Sequence, residues 1–262
     1  MPTKKQERGG GVVEVVLATP RASSPVLICG LPGSGYVGKL AADHLVSAFK
    51  ARKVAEYTCN SFPPQVNVRG DGTAGPLKAE VFFARWKKGE GAFVFTADAQ
   101  PTTSEGEYQL ADAVIDYAKK RGVRKVYSLA AYITGAFSAE PKVYGAATSR
   151  QLLDALSSEG VTLMKEGGIS GINGLMIGIA SLRGLEGACL LGETSGYIVD
   201  AGASKAVLEL LAKLMGVCID TSKLKEKAEE TQKALSQLQS MAERSQENPQ
   251  QPRREARPGY IA

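Results

Sequence analysis

Residues Gly30-Leu31-Pro32-Gly33-Ser34-Gly35-Tyr36-Val37-Gly38-Lys39-Leu40 carry the spacing of a phosphate cradle with one position altered. Gly33, Gly38 and Lys39 satisfy G-x-x-x-x-G-K, in which backbone amides wrap a phosphate and the lysine reaches its oxygens. That pattern next needs a Ser or Thr hydroxyl for magnesium, and this chain has Leu40, which offers neither donor nor acceptor. An acidic residue closing a second apolar strand is also needed, and Ala92-Phe93-Val94-Phe95-Thr96-Ala97-Asp98 supplies one. The same glycines also suit a tight strand-to-helix turn that lets the helix lie close on the sheet, with no ligand involved. Losing the metal-binding hydroxyl favours this packing use. Phosphate held on backbone amides without magnesium is the alternative.

Other candidate groups stand where strands end. Asp98-Ala99-Gln100-Pro101, Ser138-Ala139-Glu140-Pro141 and Gly192-Glu193-Thr194-Ser195-Gly196 each follow a predicted strand. Their carboxylates would face the edge of an α/β sheet where ligands bind, as acid and base, or would cap helices and loop amides. Gly167-Gly168-Ile169-Ser170-Gly171-Ile172-Asn173-Gly174 suits an anion-binding nest or an interface loop. His44 is the single histidine, which excludes a multi-histidine metal site. Cys29, Cys59, Cys189 and Cys218 are widely spaced, and three of them sit in apolar runs, as small buried hydrophobes do. No nucleophile elbow with usable partners is present. No cofactor or metal is expected.

These groups need a scaffold, and the 262 residues are enough for one large α/β domain. Hydrophobic content of 44% and charged content of 23% are those of a soluble globular protein. The net charge of +5 is spread among acidic residues, so neither a nucleic acid nor a membrane is an expected partner. Without a signal-peptide pattern, the expected compartment is the cytoplasm.

Along the chain, residues 1–11 are polar and read as disordered, and Val12–Leu17 as a strand. The strand before the glycine turn, a helix to about Lys50 and a strand at Val54–Cys59 follow. Residues 65–69 and 77–83 flank Gly70-Asp71-Gly72 and read as a hairpin with an enlarged loop. Ser104 with Glu107 reads as a capping box opening a helix to about Arg121, with Leu110, Val114, Ile115 and Ala118 as its buried stripe. Further strands are expected at 125–130, 142–146, 161–164 and 187–192. Helices are expected around Leu152–Leu156, within 167–178, and over Ala203–Met215. Strands alternating with helices predict a largely parallel, mixed sheet covered on both faces.

The last 42 residues differ. Leu224, Ala228, Thr231, Leu235, Leu238 and Ala242 recur at heptad spacing on a charged helix, suited to a coiled coil or to docking on its own domain. Asn248-Pro249-Gln250-Gln251-Pro252 ends it. The expected organisation is a disordered 1–11, an α/β domain over 12–219, a helix over 220–245 and a flexible tail over 246–262. Tyr260, Ile261 and Ala262 form a small apolar end on that polar tail, which suits a docking peptide.

Several motifs together are familiar. The turn Gly30-x-Pro32-Gly33-x-Gly35-x-Val37-Gly38, Gln100-Pro101, Val143-Tyr144-Gly145-Ala146-Ala147-Thr148 and Gly171-x-Asn173-Gly174-Leu175 resemble the proteasome assembly chaperone family, above all its archaeal members. The resemblance spans roughly residues 12–216. It implies a three-layer αβα domain and a non-catalytic, homo-oligomeric chaperone that binds 20S proteasome α-subunits or the α-ring. Archaeal members have also carried an ATP-grasp label, and such an enzyme would use Gly33, Gly38, Lys39 and Asp98. Factors of this kind often end in a hydrophobic residue, Tyr and any residue, the tail entering a pocket between α-subunits. Here Tyr260 is third from the end, so Tyr260, Ile261 and Ala262 are offset from that motif by one residue, about 3.3–3.6 Å of extended chain.

Overall fold

The computed structural model describes residues 4–8, 11–87 and 89–247. In chain order the elements begin with β1 (Lys4–Arg8), β2 (Val12–Val16), β3 (Val26–Gly30), α1 (Val37–Ala48) and β4 (Arg52–Cys59). Next come β5 (Val66–Val68), β6 (Ala74–Pro76), β7 (Ala79–Lys87), β8 (Glu90–Ala97), α2 (Ser104–Lys119) and β9 (Lys125–Ile133). The chain continues with β10 (Val143–Ala147), α3 (Arg150–Ser158), β11 (Thr162–Leu163), α4 (Gly171–Leu182) and β12 (Glu186–Thr194). Helices α5 (Ala201–Met215) and α6 (Ser222–Glu247) close it.

Among the described residues, ten strands form one sheet in the order β1-β2-β4-β7-β8-β3-β9-β12-β10-β11. The sheet is mixed, as the alternating pattern predicts. Strands β8, β3, β9 and β12 run parallel at its centre, and antiparallel pairs flank them on both sides. Alternation along each central strand sends side chains to opposite faces. Leu27, Cys29, Phe93 and Phe95 join a core under α2 and α4, while Ile28 and Val94 join one under α1, α3 and α5. Helices on both faces make the three-layer αβα domain, and these two cores hold the central strands in place.

The structure corrects three local expectations. Residues 4–8 are not disordered: they pair antiparallel with β2, from Lys4 opposite Val16 to Arg8 opposite Val12. A polar sequence is what an edge strand tolerates, and Arg8 secures it through Glu14 (2.7 Å) and Asp116 (3.2 Å). The expected hairpin of 65–69 with 77–83 is absent. Instead β5 and β6 pair only with each other, and β7 pairs with β4 and β8. Asp71 tightens the small turn by accepting from the Thr73 amide (3.0 Å), so the excursion closes locally before β7 enters the sheet. The cap of α2 lies one residue early, where Thr103 accepts from the Gly106 amide (3.1 Å).

Helix α6 starts beside the end of α5 and runs back along it. Leu224 is buried, and Ala228 reaches the start of α5, within 3.7 Å of a Cβ placed on Gly202. From Ala228 the helix continues nineteen residues to Glu247, about 28 Å at 1.5 Å per residue. None of the described side chains past Ala228 joins a core cluster.

Candidate functional site

The glycine turn packs backbone on backbone. A Cβ on Gly30 would fall 2.1 Å from the Gly38 carbonyl oxygen, and one on Gly38 would fall 2.1 Å from that of Leu129. These residues bring α1 onto β3 and β9 closer than any side chain allows. Lys39 does not turn back over the loop. Its Nζ meets Asp43 Oδ1 (2.8 Å) and Thr96 Oγ1 (3.1 Å). Gly35 (φ 61) and Tyr36 (φ 52) are both left-handed, which swings the chain into α1 with the Tyr36 ring about half exposed.

Of the carboxylates expected at strand ends, Asp98 and Glu193 are committed to backbone amides, while Glu140 is exposed. Asp98 Oδ2 accepts from the Lys78 amide (2.8 Å), and Glu193 Oε2 from the Lys142 amide (3.1 Å). Asp200 caps α5 by accepting from the Ala203 amide (2.8 Å). Each closes a loop; none of these bonds joins two carboxylates as an acid–base pair. His44 Nε2 lies 2.6 Å from the Asp220 carbonyl oxygen, tying α1 to the segment before α6. Cys29 and Cys189 are fully buried. Burial, then the neighbouring Cys189, raises the Cys29 thiol well above its ordinary range, and burial pushes Cys189 up to about 12. Both remain unreactive thiols. Among the described residues no group of three or more His, Cys, Asp or Glu could hold a metal. No helix described is long and apolar enough to cross a membrane.

The motif residues Gln100 and Asn173 meet at the carboxyl edge of the parallel strands. Gln100 Oε1 accepts from the Ile172 amide (2.9 Å), while its Nε2 donates to the Pro32 carbonyl. Asn173, 6% exposed, accepts from the Leu31 amide through Oδ1 (3.3 Å), and its own carbonyl accepts from Ser128 Oγ (2.5 Å). Two side-chain amides thus fasten the loop after β3 to the start of α4. Beside them lies a cleft of about 390 Å³, lined by Ser34, Tyr132, Met164 and Ile169 among others. The glycine-rich 167–174 run is the wall of this cleft, and its end opens α4.

Exposed apolar side chains gather on the same edge. Tyr36, Ile133, Tyr197 and Val199 are 48%, 59%, 85% and 55% exposed. Their loops are joined, because the Asp200 amide donates to the Gly35 carbonyl (2.9 Å) and a Cβ on Gly196 would touch Ile133 (3.2 Å). Aromatic and aliphatic surface of this kind suits contact with a protein. The sequence reading did not single these residues out. The signal available was an aromatic or branched residue at a strand end or within six positions past it, beside Gly and Ser or Thr. Tyr260, Ile261 and Ala262 lie outside the described residues.

Comparison with known proteins places this arrangement. A protein of Methanocaldococcus jannaschii, itself uncharacterized, is 39% identical over 219 residues, covering 83% of this chain and 84% of the relative. The crystal structure of Pyrococcus furiosus PbaB, an archaeal proteasome activator, matches at TM-score 0.82 with 35% identity, covering 88% of this chain and 99% of that one. That of Pyrococcus furiosus PbaA, an archaeal homolog of proteasome-assembly chaperone, matches at TM-score 0.73 with 28% identity over 90% and 95%. The PAC2 family model matches residues 27–239, from β3 through most of α6, and the chain belongs to the PAC2 family.

Proposed function

We propose that this chain is a non-catalytic, homo-oligomeric factor that binds proteasome α-subunits or the α-ring and assists proteasome assembly, with Tyr260, Ile261 and Ala262 as its anchor. The observation that carries the reading is the match to PbaB, an archaeal proteasome activator, over 88% of this chain and 99% of that one. The fold suits the task. Helix α6 leaves its last core contact at Ala228 and runs nineteen residues further to Glu247. Several such arms on one oligomer would bind by avidity, so each tail contact need only be weak. The non-catalytic reading rests on the backbone-filled glycine turn and on carboxylates already committed to amides. A proteasome partner would also place the protein in the cytoplasm.

The test is capture of purified α-subunits by the full chain and by a variant lacking residues 258–262, with native mass measured in parallel. Deletion should cut capture sharply; undiminished capture discards the tail as anchor, and no capture by the full chain discards the partner. Peptide hydrolysis by assembled 20S particles separates activation from assembly. Heat on titrating ATP with magnesium, lost in Lys39→Ala, would overturn the non-catalytic reading.

A further inference from the structure

A second cavity lies at the opposite edge of the sheet, where the parallel strands begin. It holds about 510 Å³, within the range of small-molecule sites. Its walls come from the segment before β3, the end of β7, the start of β8, the start of β9 and the end of α5.

Its chemistry is specific. Trp86, the single tryptophan of the chain, lines it while packing on Phe49 at 5.8 Å between ring centres. Arg124 and Lys125 supply two cations. The Arg124 guanidinium has no carboxylate partner among the described residues, and Lys125 Nζ stands 3.7 Å from Glu186. Tyr127 is 4% exposed and lines the cavity, yet its hydroxyl has no hydrogen-bond partner among the described residues. Burial, then the charge of Glu186, raises the Tyr127 pKa, so the group is an O–H donor. The hydroxyl opens into the cavity, where it is free to donate to an occupant. Glu90, the carboxylate in the lining, is already neutralised by Lys87 (2.9 Å) and bonded by Trp86 Nε1 (3.2 Å). The cavity is therefore cationic, with donors and an aromatic wall.

We propose that this cavity binds a small aromatic anion, a planar ring against Trp86 with its carboxylate or phosphate held by Arg124, Lys125 and the Tyr127 hydroxyl. An indole beside a ring and a guanidinium fork on an anion are the pairings these side chains favour. The glycine turn takes no part, because it lies at the other edge of the same strands.

Trp86 reports directly, since as the single tryptophan it alone emits when excited beyond the tyrosine absorption band. The intact protein is titrated with adenosine monophosphate and with 4-hydroxybenzoate, and separately with adenosine and inorganic phosphate. Saturable quenching is expected from one of the first two, which identifies phosphate or carboxylate as the anion. Adenosine and phosphate alone should bind at least about ten-fold more weakly, the equivalent of about 1.4 kcal/mol. Arg124→Ala, a change at an exposed residue with its fold checked by circular dichroism, should raise Kd about ten-fold or more. Tyr127→Phe should raise it several-fold, and Lys39→Ala should leave it unchanged. No saturable quenching by either aromatic anion, or equal affinity in Arg124→Ala, overturns the assignment. Capture of α-subunits is read separately, so failure here is distinct from failure of the proteasome reading.

Discussion

Gly30 and Gly38 are in backbone contact, the α carbon of one 3.5 Å from a Cβ placed on the other. Neither obstacle to a side chain here is a flexible group: each is a carbonyl oxygen held in a helix or a strand. Gly30→Ala and Gly38→Ala should each destabilise the protein by about 1–3 kcal/mol through overpacking, read as a lower denaturation midpoint. Gly33→Ala meets only Gln100, at 3.8 Å, and should cost far less. Equal effects at the three positions would contradict the packing role.

Asn173→Ala removes the acceptor of the buried Leu31 amide. An unsatisfied buried donor costs about 1–3 kcal/mol, so thermal stability should fall by that amount. Amide exchange at Leu31 should quicken more than that of the β3 core, because the loop loses its tie to α4. Unchanged exchange there would show that the bond does not hold the loop.

Arg8 fastens the edge strand β1 to buried Glu14, which also accepts from the Tyr57 hydroxyl (2.8 Å). Arg8→Ala leaves Glu14 buried with one hydrogen bond and no countercharge. The expected loss is about 2–3 kcal/mol, with faster exchange in β1 and β2 than in the central strands. Arg8→Lys should restore only part of it, because a lysine cannot bond Glu14 and Asp116 with a forked head.

The Glu56 carboxyl carries a pH signature. Burial works to raise its pKa, but the hydrogen bonds and charges of Lys78 and Lys53 outweigh burial and hold it below its ordinary value of 4.5. A folded value below the unfolded one means the folded state binds fewer protons, so the contribution is full above the ordinary value and lost as pH falls through the folded value. Glu56→Gln should therefore be less stable than the parent at pH 7, and the gap should close on acidification. A gap constant with pH, measured by urea unfolding, would show that the ion pairs with Lys53 and Lys78 do not stabilise the fold.

Much of the scaffold is written locally. The unbroken apolar run Phe93, Val94 and Phe95 predicts a strand buried on both faces, and Leu110, Val114 and Ile115 predict the stripe of α2, because such patterns are properties of single elements. The glycine turn and the separated motifs carry the family before any coordinate is known. What the sequence leaves open is which elements meet. Strand β7 looks like half of a local hairpin, yet its partners are β4 and β8, chosen by core packing across the sheet. Residues 4–8 look unstructured because their charges find partners only when Asp116, far along the chain, comes beside them. The Gln100–Asn173 clamp and the cavity around Trp86 unite residues from distant segments in the same way. Periodicity is encoded residue by residue, whereas proximity exists only after the chain has closed its long loops, and that is why the tertiary structure alone decides where the candidate sites lie.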